Sequence, residues 1–188
     1  WIAHAYPEVT RVDFEGRKHG YGQRHNACWS SPAFRRLAVG IAGRVAQRYA
    51  SNPNVVAWHI GNEYGGDGGA CFCSNCAAEF RLWLREKYGT LEALNDAWNT
   101  TFWSHRFTDF EQIVPPSALT EHWKGRGYTA FQGITLDYYR FSTDNAIRQY
   151  NEEKAAIRAH SDLPVTTNFM GFVQPLDYHR WAPHLDFA

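Results

Sequence analysis

The amino-acid sequence predicts an α/β fold with parallel strands, and three observations carry that prediction. Two short apolar runs, 55–60 and 163–170, read as buried strands. Segments with apolar residues at helical spacing lie before and between them, and such alternation belongs to parallel sheets. The first run is apolar on both faces, as a strand covered by helices should be, and it stops at Gly61, Asn62, Glu63 and Tyr64.

Residues 1–30 carry many Gly, His and Arg with little periodicity and read as a long loop. Ser31 and Pro32 open a helix, the serine as cap and the proline at the first helical position. Phe34, Leu37, Ile41, Val45 and Tyr49 then recur at helical spacing and define its apolar face. Asn52, Pro53 and Asn54 form a turn into the strand at 55–60. After it come a glycine-rich stretch, 65–69, and a cysteine cluster. Phe80, Trp83, Leu84 and Tyr88 mark a second helix, stopped by Gly89. Thr90 caps a short helix holding Leu91, Leu94 and Trp98. Residues 99–133 are irregular and rich in aromatics, Pro and Gly. A long helix is expected over 135–160, with Leu136, Tyr139, Ile147, Tyr150 and Ile157 inward. The second strand ends in Asn168, Phe169, Met170 and Gly171. Leu185, Asp186, Phe187 and Ala188 read as the start of a third. The only methionine is Met170, no initiator is present, and both ends read as cut from a longer chain.

Bulk composition narrows the function. The 188 residues suffice for one domain with a core, and a net charge of +0 lacks the basic footprint of a nucleic-acid binder. No apolar run approaches the ~18 residues of a membrane span, and no signal peptide opens the sequence. Four cysteines in this length are too few for a disulfide scaffold, and their clustering favours a metal and a reducing compartment, the cytoplasm.

The chemistry gathers after the first strand. Parallel α/β folds place catalytic groups at the C-terminal ends of their strands, where Glu63 falls. Cleaving a glycosidic bond needs a proton donor for the leaving oxygen, and a carboxyl is the usual one. Asn62 is suited to hydrogen-bond a sugar 2-hydroxyl, a contact that strengthens in the transition state. The plain alternative for Glu63 is a loop carboxylate bonded to local backbone. Proton donation at neutral pH calls for a raised pKa, from partial burial and a neighbouring carboxylate.

Cys71, Cys73 and Cys76 are close enough to meet on one ion, and Cys28 supplies a fourth thiolate. Such a zinc site is closed and structural, pinning the 64–76 loop to the 20–30 loop. Free thiols, a chance disulfide and a zinc-ribbon nucleic-acid module are the alternatives, the last lacking paired knuckles and basic charge. Arg24 lies four residues before Cys28 and would be carried towards Glu63, able to donate to sugar hydroxyls; an ordinary surface arginine is the alternative. Trp103 fits a sugar platform or simple packing. The nine His show no metal-ligand pair, and 65–69 is not a phosphate loop, since no Lys-Ser/Thr follows.

Several stretches together resemble glycoside hydrolase family 42, the β-galactosidases: Trp58 with Asn62, Glu63 and Tyr64; the cysteine run; Phe80, Arg81, Trp83 and Leu84 with Tyr88, Gly89 and Thr90. Leu94, Asn95, Ala97 and Trp98 match as well, as do Phe102, Trp103 and Ser104, and the runs 137–141, 167–171 and 185–188. The resemblance implies a partial (β/α)8 TIM barrel, from about strands 3/4 to the start of 6, with a zinc-braced βα loop. Residues 1–188 would then be one part of a catalytic barrel domain truncated at both ends. It implies retaining hydrolysis of terminal β-D-galactosides, with Glu63 as general acid/base and the nucleophilic Glu outside this chain. Arg24, Asn62 and Trp103 would hold substrate; Cys28, Cys71, Cys73 and Cys76 would hold structural Zn2+. A homotrimer, in which Trp103 reaches a neighbouring subunit's site, is part of the same expectation. The isolated piece would be inactive. An α-L-arabinopyranosidase, a zinc-dependent hydrolase and a sugar-binding or scaffold protein keeping half of the site remain the alternatives.

Overall fold

The computed structural model describes residues 1–20, 22, 24–65, 70–120, 131–171 and 176–188. The chain opens with a single turn, α1 (Ile2–Ala5), and a 3-10 turn over Pro7–Val9. The loop that follows is braced by two antiparallel bridges, Thr10 with Ala27 and Val12 with Lys18. Helix α2 (Pro32–Tyr49) starts as expected, with Ser31 Oγ accepting the Phe34 N–H at 3.3 Å. The turn at 52–54 closes through Asn52 Oδ1, which accepts the Asn54 N–H at 3.0 Å.

Strand β1 (Trp58–His59) pairs in parallel with β2 (Val165–Thr166), Trp58 opposite Val165 and His59 opposite Thr166. The paired parts are shorter than the predicted runs, because the ladder is satisfied only where the two strands overlap before the chain turns. Residues 185–188 lie along the far side of β2: the Asp186 N–H donates to Val165 O at 3.1 Å. Thr166 Oγ1 donates to Phe187 O at 2.6 Å on the same side. Residues 185–188, expected to start a third strand, bond to β2 in this way but form no regular strand.

Helix α3 (Ser74–Tyr88) ends at Gly89, whose φ of +71 suits a residue without Cβ and whose N–H bonds Arg85 O. Helix α4 (Leu91–Trp98) starts at Thr90, which accepts the Ala93 N–H at 3.2 Å. Short 3-10 turns at Phe102–Ser104 and Phe110–Gln112 interrupt the irregular region, of which 121–130 lie outside the described residues. Helix α5 (Gln132–Arg158) runs 27 residues, starting three before the predicted position. The last α-helical turn, α6 (Tyr178–Trp181), places Trp181 fully inside and runs on into a 3-10 turn over Ala182–His184.

Two helix faces differ from the expectation. On α2, Ile41, Val45 and Tyr49 are exposed, and the packed face is instead Ala42, Gly43 and Ala46. Small residues let α2 approach α5 closely; a Cβ on Gly43 would sit 3.6 Å from Ala156 Cβ. On α5, Ile147, Tyr150 and Ile157 point inward as expected, whereas Leu136 and Tyr139 point out. Ile134, Asp137, Tyr138 and Phe141 take the inner face there. The buried Asp137 carboxylate explains the rotation. Lys87, Arg140, Tyr88 and Trp98 all donate to it, so a charged residue turns inward where periodicity expects an apolar one.

Two apolar clusters result. One wraps the strand pair with Trp58, Ile60, Tyr64, Tyr150, Val165 and Trp181. The other joins Phe80, Leu84, Leu94, Ile113, Tyr138 and Phe141 to Cys28 and Cys76. Each fully buried Leu or Phe contributes on the order of 2 kcal/mol. Among the described residues no helix is long and apolar enough to cross a membrane.

Candidate active site and metal centre

The ends of β1 and β2 build the first constellation. Gly61 turns the chain at the top of β1 with φ +60, and the Tyr64 ring packs 2.6–2.8 Å from where a Cβ at 61 would stand. Only glycine fits both the backbone angle and that close approach. Tyr64 is buried against Trp29 and Trp181, with ring centroids 5.8 and 4.8 Å away. Glu63 is thereby lifted above a rigid aromatic floor with φ +48, a left-handed conformation that costs a non-glycine residue on the order of 1 kcal/mol.

The Glu63 carboxylate pairs with the Arg24 guanidinium. It also accepts from Asn62 Nδ2 at 3.3 Å. The structure therefore brings Glu63, Asn62 and Arg24 together, although Arg24 is 39 positions earlier in sequence. The Arg24 hydrogen bond holds the Glu63 carboxyl below the usual glutamate range, with Asn62 and the charges of Arg24 and His25 adding to it against a smaller opposing effect of burial. The expected raised pKa is not found in this chain, since no second carboxylate faces Glu63 among the described residues to oppose Arg24.

Trp103 lies apart. It sits in the 3-10 turn Phe102–Ser104 with φ +54, its indole 62% exposed and stacked on Phe102 at 4.7 Å. Phe131 meets it edge-on at 6.1 Å. No hydrogen bond or ring contact joins it to Glu63 among the described residues.

The four cysteines converge, their Sγ atoms all within 4.8 Å of one another. Cys28 Sγ is 3.5 Å from Cys73 Sγ and 3.4 Å from Cys76 Sγ. A tetrahedron with metal–sulfur bonds of about 2.3 Å has edges of about 3.8 Å, so this donor set fits one soft divalent cation. The thiols interact as a group: hydrogen bonds from Cys28 hold Cys71 and Cys73 low, while the contact with Cys71 raises Cys28 and that with Cys28 raises Cys76. The Val12 N–H donates to Cys71 Sγ at 3.4 Å, which favours a thiolate there. Tyr138 OH donates to Cys71 O, fixing the loop to α5.

Sequence reasoning missed two residues here. Arg11 is buried and spans the two loops, donating to His25 O at 3.2 Å and Ala70 O at 3.0 Å. Nothing in the 1–30 segment marks it, because these two partners are backbone carbonyls. Asn168, at the end of β2, accepts the Glu63 N–H at 3.1 Å. Its signal was available, an Asn closing a strand parallel and adjacent to the one that carries Glu63.

A strand-end carboxylate paired with arginine, on parallel strands backed by helices and beside a four-thiolate cluster, marks the chain as a piece of a parallel α/β protein with its candidate site at the strand ends. The glycoside hydrolase family 42 model, described as beta-galactosidase, matches residues 1–188, and the chain belongs to that family. It is 49% identical over 187 residues to beta-galactosidase BgaP of Planococcus sp. (strain L4), covering 99% of this chain and 27% of that protein. The crystal structure of a beta-galactosidase from Bacillus circulans sp. alkalophilus superposes with TM-score 0.94 at 52% identity, over 99% of this chain and 27% of that one. That of a beta-galactosidase from Rahnella sp. R3 gives 0.91 at 42% identity, over 100% and 26%. These neighbours have the TIM barrel, and the chain spans about 27% of the length of the curated relatives it matches.

Proposed function

We propose that the chain is the middle of a catalytic barrel, from about the third strand to the start of the sixth. The whole protein would then be a retaining hydrolase of terminal β-D-galactosides. The observation that carries this reading is Glu63 at the C-terminal end of β1, within reach of both Arg24 and Asn62.

In the whole site Glu63 protonates the leaving oxygen while a Glu supplied from beyond this chain attacks the anomeric carbon. Glu63 then takes a proton from water, which releases galactose with net retention. The second carboxylate, about 5–5.5 Å away in a retaining pair, would raise the Glu63 pKa against the lowering effect of Arg24. Substrate hydroxyls compete for the Arg24 and Asn62 donors and draw them off the carboxylate, which frees Glu63 to hold its proton. Trp103 would offer its exposed indole to a sugar face, reaching a neighbouring subunit of a homotrimer. The cytoplasm, where thiols stay reduced, suits the cysteine centre.

Cys28, Cys71, Cys73 and Cys76 would hold zinc. With four thiolates the ion supplies structural bracing and leaves no open position for water or substrate.

The test is hydrolysis of p-nitrophenyl β-D-galactoside by the whole protein and its Glu63→Ala variant, with and without azide. A large loss, with azide restoring turnover and yielding β-galactosyl azide, supports the assignment. Near-normal activity of the variant removes Glu63 from the mechanism.

A further inference from the structure

The backbone N–H of Glu63 reaches across to the neighbouring strand. Below it the parallel ladder rises in steps of two: the Trp58 N–H donates to Pro164 O at 2.8 Å and the Ile60 N–H to Thr166 O at 2.9 Å. In unbroken register the next rung would run from residue 62 to the carbonyl of residue 168. The left-handed turn through Gly61 and Glu63 breaks that register. Asn168 replaces the rung with its side chain, Oδ1 accepting the Glu63 N–H at 3.1 Å. A backbone N–H only donates, so the amide oxygen and not the nitrogen faces it.

Both sides of this bond are anchored to one ring. Phe169 stacks on Tyr178 with centroids 4.3 Å apart and planes 27° from parallel. Tyr178 OH donates to Tyr64 O at 3.4 Å. Asn168 and Glu63 are thus each next in sequence to a residue that Tyr178 holds, and their separation is fixed from below.

We propose that Asn168 is a positioning residue for the acid/base carboxyl, its amide oxygen holding the Glu63 backbone left-handed and so setting the direction in which that side chain leaves the strand end. This rests on the reading of Glu63 as general acid/base. Without the acceptor the Glu63 peptide relaxes towards negative φ, the Cα–Cβ bond swings, and the carboxyl loses its line to the glycosidic oxygen. Proton donation matters most when the leaving group is a poor one, so the defect depends on the aglycone.

The test uses the whole protein and two substrates, methyl and 2,4-dinitrophenyl β-D-galactoside. The readout is the ratio of kcat/KM for the activated substrate to that for the alkyl one. It does not depend on how much of a variant is folded. Asn168→Ala is expected to raise this ratio by about tenfold or more, the scale of loss that misplacing a reacting group produces. Asn168→Asp keeps an acceptor oxygen at the same place, is expected to return the ratio towards wild type, and carries the test if the alanine variant does not fold. In a Glu63→Ala background, Asn168→Ala should leave the ratio unchanged, because its effect passes through Glu63.

A wild-type ratio in Asn168→Ala overturns the proposal. So does a raised ratio in Asn168→Asp equal to that of the alanine variant, or an undiminished effect in the Glu63→Ala background. The underlying reading fails separately: if Glu63→Ala itself keeps a wild-type ratio, Glu63 is not the proton donor. If Glu63→Ala raises the ratio and Asn168→Ala does not, only the positioning role is lost.

Discussion

Replacing Asp137 by alanine should destabilise the protein by about 3–4 kcal/mol, a value assembled from the four donors that the carboxylate satisfies. Asp137 is 1% exposed and accepts from Lys87 Nζ, Arg140 Nη1 at 2.8 Å, Tyr88 OH at 2.5 Å and Trp98 Nε1 at 3.0 Å. Lys87 and Arg140 are 31% and 54% exposed, so they can turn to water and lose little. Tyr88 and Trp98 are half-buried and cannot; each stranded donor costs about 1–2 kcal/mol, and the lost charge-assisted bonds supply the rest. Asp137→Asn keeps one acceptor and should cost roughly half as much. Urea unfolding of the whole protein, read as the midpoint shift at constant slope, measures both. The pH dependence gives an independent check. Burial alone would raise the Asp137 pKa, but hydrogen bonds from Lys87, Tyr88, Arg140 and Trp98 outweigh it and hold the group below the ordinary aspartate value. Its stabilisation is therefore complete above the unfolded-chain value of about 3.9 and disappears as pH falls through the lower folded value. The gap between wild type and Asp137→Ala should narrow only in that acid range, by the charge-dependent part of it. A loss under about 1 kcal/mol at neutral pH, or a gap that does not narrow in acid, would refute the reasoning.

Three further outcomes follow from the site. Arg24→Ala removes the principal influence lowering Glu63, so the alkaline limb of kcat/KM should move to higher pH; a limb that stays or moves down counts against the ion pair. Gly61→Ala meets both a φ of +60 and the Tyr64 ring, and should cost about 2 kcal/mol or more with a matching loss of activity. Wild-type stability by thermal unfolding would show that the turn is not held as described. Cys73→Ser should lower the bound metal measured by elemental analysis well below one equivalent, and full occupancy would exclude that thiol from the centre.

Much of the architecture was legible because local signals and packing agree. Ser31, Gly89 and Thr90 act at helix ends as their chemistry predicts, whereas 55–60 is covered less than its apolar run implies, with Trp58 and Ile60 buried but Val56 and His59 exposed. The helix faces were less legible. The stripe from Phe34 to Tyr49 is more apolar than the Ala42, Gly43 and Ala46 face, yet close approach of α5 selects the small residues. Likewise nothing local says that Asp137 is inside, since its four partners come from three helices. The site divides in the same way. Glu63, Asn62 and the cysteines are marked by position and spacing. Asn168 is marked only by its place at the end of the neighbouring strand, and Arg11, which donates to backbone carbonyls, leaves no trace in residue type.

The short path from Cys28 to Arg24 has a practical consequence. Four residues reach at most about 14 Å, so the cysteine centre is a mooring for the arginine that meets Glu63. Loss of turnover on treatment with a chelator would then report a slackened tether. It would look like the signature of a metal-driven reaction, although every bond made or broken could belong to carboxylates.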